Sequence, residues 1–166
     1  MLAYTLKEKF INQLCDVLSR NEILAIWNQW VIKEIIQISK INYFLNQDLF
    51  LTDEKVFKIT SLISHIISNK PVEYFFGYSY FRNLKLFVNS HVLIPRPETE
   101  ELVDIVLDNL NNISINSIID IGTGSGCIAI SLKQYISANL FAFDYSDQIL
   151  SIARKNAHTY NMNINF

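Results

Sequence analysis

Apolar residues recur at helical spacing from about Thr5 to Lys70. Leu6, Phe10, Leu14, Val17 and Leu18 fall on one stripe, and Ile23, Ile26, Trp27, Trp30 and Val31 on another. Thr52 or Asp53 is placed to cap a further helix carrying Val56, Phe57, Ile59, Ile63 and Ile67, which Asn69-Lys70-Pro71 ends. No glycine occurs before Gly77, so compact helices with short polar connections are expected. Trp27, Trp30, Tyr43, Phe44, Phe50 and Phe57 are expected in the core. The pattern changes at Pro71. Glu73 to Asn89 is aromatic and β-branched, with Arg82-Asn83 as the turn between Tyr78-Tyr80 and Leu84-Val88. Asn83 tolerates the left-handed conformation that a tight hairpin requires.

The prolines of Pro95-Arg96-Pro97-Glu98 fix an extended backbone ahead of a helix with Leu102, Val103, Val106, Leu107 and Leu110 on its apolar positions. Thr99 is the expected cap of that helix, with Glu100 and Glu101 well placed in its first turn. Beyond Asn111-Asn112 the periodicity alternates. A strand ends at Ile121, a helix runs from about Gly124 to Tyr135, a strand covers Asn139 to Phe143, and a helix runs from about Ser146 to Tyr160. Ile164-Asn165-Phe166 opens like a third strand. This order predicts an α/β fold with a parallel sheet. The expected organisation is a helical bundle over residues 1–70, a β-hairpin linker over 71–91, and the first half of a Rossmann-like domain over 92–166.

Composition narrows the function classes. Half of the 166 residues are hydrophobic, ample for a core, and 18% are charged, too many for a membrane protein. The formal net charge of −2 gives no electrostatic basis for binding nucleic acid directly. Cys15 and Cys127 lack CxxC spacing and are expected to be free, buried thiols of a cytoplasmic protein. His65, His91 and His158 lack the spacing of a metal site.

The chemistry concentrates in Gly122-Thr123-Gly124-Ser125-Gly126, which follows the apolar run Ile118-Ile119-Asp120-Ile121. Asp144 closes the next apolar run. A dinucleotide fingerprint places its third glycine where Cys127 stands, so the spacing favours another adenosine cofactor over NAD. S-adenosyl-L-methionine has no pyrophosphate to cradle. It needs a loop whose backbone the methionine and ribose can approach, which glycine permits, and a carboxylate for the ribose hydroxyls, which Asp144 supplies.

On these residues the chain resembles the protein-(glutamine-N5) methyltransferases that modify peptide chain release factors. The resemblance rests on Pro71-Val72-Glu73-Tyr74 with Gly77 and Phe81, and on Val92-Leu93-Ile94-Pro95-Arg96-Pro97-Glu98-Thr99-Glu100. It continues through Asp120 to Gly126, Asp144-Tyr145-Ser146 and Ala153-Arg154-Lys155-Asn156-Ala157. It is strong from Pro71 to Phe166 and follows general layout before that. It implies a SAM-dependent methyltransferase domain, with Gly122, Thr123, Gly124, Ser125, Gly126 and Asp144 binding the cofactor. Pro95, Arg96, Pro97 and Glu98 lie at the active-site mouth, and the helical part docks the release factor. The implied acceptor is the glutamine amide of a Gly-Gly-Gln loop. The family holds that amide with an Asn-Pro-Pro-Tyr motif, which is not among these residues, all three prolines being at 71, 95 and 97. A chain cut short before that motif is therefore expected to lack methyl transfer. The alternatives are a ribosomal-protein glutamine methyltransferase, an adenine-N6 DNA methyltransferase, which the acidic balance disfavours, and a non-catalytic binding module.

Overall fold

The computed structural model describes residues 1–46, 48–110 and 113–166; Asn111-Asn112, expected to open the α/β part, lie outside the described residues. The chain divides into two compact units, Met1–Phe75 and Phe76–Phe166.

The first unit is helical. Helix α1 spans Ala3–Leu14, and α2 spans Arg20–Ile26 behind a capping box in which the Ser19 and Glu22 side chains each accept the other's backbone N–H. The chain continues as a π-helical segment, Trp27–Ile36, closed by a bond from the Gln37 N–H to the Ile32 carbonyl at 2.8 Å. Helices α3, Lys40–Leu45, and α4, Asp53–Ile67, follow. Thr52 caps α4, its hydroxyl accepting the Lys55 N–H at 3.4 Å, and the Lys55 ammonium donates to the Ile36 carbonyl at 2.8 Å. Trp27 is fully buried, with Phe10 and Tyr43 packed edge-on at 5.2 and 6.3 Å between ring centroids.

Several aromatic residues depart from expectation. Phe44, Phe50 and Phe57 are largely exposed. In α4 the buried stripe is Ile59, Leu62, Ile63 and Ile66. Phe57 precedes Ile59 by two positions, which at 3.6 residues per turn places it on the opposite face. Cys15 is exposed and Cys127 buried, and both are free thiols.

The second unit opens after the short helix α5, Val72–Phe76, with an antiparallel hairpin of β1, Tyr78–Phe81, and β2, Leu84–Phe87. Its register pairs Tyr78 with Phe87 and Phe81 with Leu84. The hairpin is not a linker. Phe81, Leu84 and Leu86 are fully buried in one cluster with Val103, Ala129, Ile130, Leu140 and Ala142, which makes it part of the α/β core. The left-handed residue of its turn is Arg82, at φ 51°, and not Asn83. Contacts to the following helix hold it there: the Arg82 N–H donates to Glu100 Oε1 at 2.9 Å, and the guanidinium pairs with Asp104.

That helix, α6, spans Pro97–Leu110. Pro97 and Glu98 therefore belong to its first turn, leaving only Pro95 and Arg96 ahead of the helix, and proline suits the start of a helix because its missing N–H has no partner there. Thr99 is no cap, since its N–H bonds the Arg96 carbonyl at 3.0 Å inside that turn. Strands β3, Ser117–Ile121, and β4, Asn139–Phe143, pair in parallel, with Ile119 against Phe141 and Ile121 against Phe143. Between them α7 covers only Cys127–Lys133, because the glycine turn consumes the residues before it. Helix α8, Asp147–Thr159, is capped by the Ser146 hydroxyl. The chain then returns beside β4, the Asn165 N–H donating to the Leu140 carbonyl at 2.9 Å and its carbonyl accepting the Ala142 N–H at 2.8 Å. One face of this small sheet packs into the core, while Ile119, Ile121 and Phe143 on the other stay exposed. Among the described residues no helix is long and apolar enough to cross a membrane.

Candidate functional site

The carboxyl ends of β3 and β4 lie side by side, and the loop leaving β3 is tied to the end of β4. The N–H groups of Gly122 and Thr123 both donate to the Phe143 carbonyl at 2.9 Å. The Gly124 N–H donates to Asp144 Oδ2 at 2.9 Å, and the Tyr145 N–H to Oδ1 at 2.8 Å. Each carboxylate oxygen keeps a free lone pair.

The five loop residues divide by role. Gly122 and Gly124 have positive φ, 79° and 55°, and a Cβ built on either meets nothing within 4 Å, so open space flanks the backbone. Gly126 is different. At φ 83° its Cβ would come within 3.1 Å of Ile130 Cδ1 and 3.4 Å of the Ala153 Cβ, so glycine there lets α8 pack closely against the start of α7. Thr123 and Ser125 are buried at 4% and 2% exposure. The Thr123 hydroxyl donates to Asp120 Oδ2 at 2.8 Å, so it is spent on the protein. Of the four residues expected at an active-site mouth, Pro95 is half-buried and Arg96, Pro97 and Glu98 are exposed.

Three residues that sequence reasoning quoted within matching segments, without giving them a role, belong to this geometry. Asp120, at the end of β3, has its carboxyl raised above the ordinary range by burial, against the opposing hydrogen bonds from Thr123 and the Ala129 N–H, with the charge of Asp144 pushing it further up. Tyr145 is 94% exposed beside Asp144, a free aromatic surface at the strand end. Asn156 is fully buried on α8 and bonds the loop through the Ser125 carbonyl at 2.8 Å. A polar residue within the apolar stripe Ile149, Ile152, Ala153, Ala157 was the available signal for it. Burial also pushes the Cys127 thiol up, so it is held protonated and unreactive. Among the described residues no cluster of three or more His, Cys, Asp and Glu side chains is arranged to hold a metal ion.

A parallel strand pair whose glycine turn is hydrogen-bonded to an acidic residue at the neighbouring strand end has the α/β geometry in which nucleosides are bound at the carboxyl ends of strands. A family model described as ribosomal protein L11 methyltransferase (PrmA) matches residues 98–166. Release factor glutamine methyltransferase of Flavobacterium psychrophilum is 37% identical over the whole of this chain and 59% of that protein. The protein of the same name from Bacteroides thetaiotaomicron is 34% identical over 92% of this chain and 54% of its own length. That of Streptococcus pneumoniae is 40% identical over 74% and 43%. The chain is similar to release factor glutamine methyltransferases over most of its own length, and it spans about half the length of the curated relatives it matches. A solved tRNA (uracil-54, C5)-methyltransferase of Pyrococcus abyssi superposes on 54% of this chain and 22% of its own, with a TM-score of 0.45 at 19% identity.

Proposed function

We propose that this chain binds S-adenosyl-L-methionine at the ends of β3 and β4 and serves in methylating the side-chain amide of a glutamine in a peptide chain release factor. The observation that carries it is the pairing of an open glycine turn with Asp144 across two parallel strand ends. The free space over Gly122 and Gly124 is what a cofactor without pyrophosphate requires, since its methionine and ribose must lie against backbone. Asp144, already fixed by two N–H groups, retains lone pairs for the ribose hydroxyls. Tyr145 offers its exposed ring to an adenine face.

When bound, S-adenosyl-L-methionine supplies an electrophilic sulfonium methyl group. The acceptor amide nitrogen is a weak nucleophile, its lone pair being delocalised into the carbonyl. The protein's task is therefore to place the amide and hold its protons, and catalysis is by positioning. The Asn-Pro-Pro-Tyr motif that the resemblance assigns to that task is not among these residues. What they carry is the donor cradle and, in the helical unit with Pro95 to Glu98, surfaces for acceptor docking. The PrmA match favours a second reading, a ribosomal protein as acceptor. Identity across the helical unit as well as the α/β unit supports the release factor.

Calorimetric titration with S-adenosyl-L-homocysteine tests the donor site. One-to-one binding, abolished by Gly124→Arg, is expected. An absence of binding by the full-length protein would end this reading. Labelled methyl transfer to an unmethylated release factor against a ribosomal protein then decides the acceptor.

A further inference from the structure

Helix α8 reads the free edge of β2 with two side chains one turn apart. Asn156 Oδ1 accepts the Phe87 N–H at 2.7 Å, and its Nδ2 donates to the Phe87 carbonyl at 3.0 Å. The Tyr160 hydroxyl accepts the Lys85 N–H at 2.6 Å and donates to the Lys85 carbonyl at 3.1 Å. Residues at i and i+4 of the helix thus satisfy alternate residues of the strand, doing for this edge what a further strand would do. Only Asn156 also reaches the glycine turn, through the Ser125 carbonyl. Phe87 lies just before the Asn89 turn, where the Val92 N–H bonds the Asn89 carbonyl at 3.1 Å on the way to Pro95 and Arg96.

We propose that Asn156 is a positioning residue that locks the donor loop to the hairpin, so that the loop holds its open, cofactor-accepting form only while this carboxamide bridges the Ser125 carbonyl and Phe87. Its carboxamide has both N–H groups and its oxygen engaged, and no other natural side chain of that length supplies two donors and an acceptor in one plane. This rests on the donor-site reading, but the coupling itself is measurable without a ligand.

The experiment compares Asn156→Asp, Asn156→Ser and Tyr160→Phe in the full-length protein, by amide hydrogen exchange and by titration with S-adenosyl-L-homocysteine between about pH 5 and 8. At the upper pH the aspartate faces two carbonyls with no proton to donate. Faster exchange at Gly124 and Gly126 and an affinity loss of about tenfold relative to wild type are expected, on the scale of one lost hydrogen bond. At the lower pH a protonated carboxyl restores one donor, and the ratio to wild type should recover; using the ratio cancels the pH dependence that Asp120 brings to both proteins. Asn156→Ser, uncharged and too short, should show the faster exchange at every pH and keeps the test open if the aspartate variant does not fold. Tyr160→Phe removes bonds to β2 alone and should leave the loop amides unchanged. Unaltered loop exchange in both Asn156 variants, or equal loop effects from Tyr160→Phe, would overturn the coupling. Altered exchange with no donor binding by the wild type would keep the coupling and remove only the donor-site reading.

Discussion

The backbone N–H of Gly124 bonds the carboxylate of Asp144 at 2.9 Å, so the loop and the neighbouring strand end are joined before any ligand arrives. On the proposed reading one carboxylate has two tasks: it fixes the loop, and its remaining lone pairs face a ribose. Asp144→Ala loses both, and the expected loss of donor affinity is about 2–4 kcal/mol, since bonds to a charged acceptor are worth about 1.5–3 each. Asp144→Asn keeps an acceptor for Gly124 and should lose less. Calorimetry with S-adenosyl-L-homocysteine measures both, and wild-type affinity in Asp144→Ala would remove this residue from the site.

Gly124 and Gly126 should respond differently to alanine. Both need the left-handed conformation, which costs a residue with a Cβ about 1–2 kcal/mol. At Gly126 the new methyl also meets Ile130 and Ala153, adding an overpacking cost of about 1–3 kcal/mol. Denaturant titration should find Gly126→Ala the less stable. Gly124→Ala should fall further in donor affinity than in stability, because its methyl enters the space left for the ligand. The reverse order would mean that the loop changes shape on binding.

Asp120 imposes a pH dependence whose sign follows from its burial. In the folded state its carboxyl holds a proton at pH values where the unfolded chain has released it. Folding stability accordingly falls as pH rises from the ordinary carboxylate range through the elevated folded-state value, and the penalty persists above it. Asp120→Asn keeps an oxygen for the Thr123 hydroxyl without the charge. It should be more stable than wild type at about pH 7.5, and the gap should close at about pH 3, where the carboxyl is protonated in both states. A gap of the same size at both pH values would show that ionisation is not its cause.

Arg82 holds a left-handed turn position because α6 receives it. Arg82→Ala keeps the backbone strain and loses the pairing with Asp104, whereas Arg82→Gly loses the pairing but relieves the strain. The glycine variant should exceed the alanine variant by about 1 kcal/mol in urea denaturation. Equal stabilities would indicate that the turn relaxes out of the left-handed region once the side chain is gone.

The strands and helices of the second unit were legible in the residues to within a few positions. Strand β4 matches its expected bounds, and Ser146 begins α8 as the periodicity implies. Short continuous apolar runs ended by glycine or a polar residue, alternating with helical periodicity, leave the backbone few alternatives. The exposed Phe57 and the left-handed Arg82 were not legible, because helical phase and turn strain are settled by what packs against them. Nor was the difference in surroundings within Gly122 to Gly126, since five neighbouring residues carry no local mark of which face open space and which face a helix.

The sequence by itself determined the element order, the glycine turn after β3 and the acidic end of β4, all properties of short segments with strong local preferences. Tertiary structure alone decided that the hairpin belongs to the α/β core, that Asp120 sits in the field of Asp144, and that Asn156 joins β2 to the glycine turn. Each of these depends on backbone groups distant in sequence coming within hydrogen-bonding or van der Waals reach. That proximity is set by how the elements bury their apolar faces against one another, which no local pattern encodes.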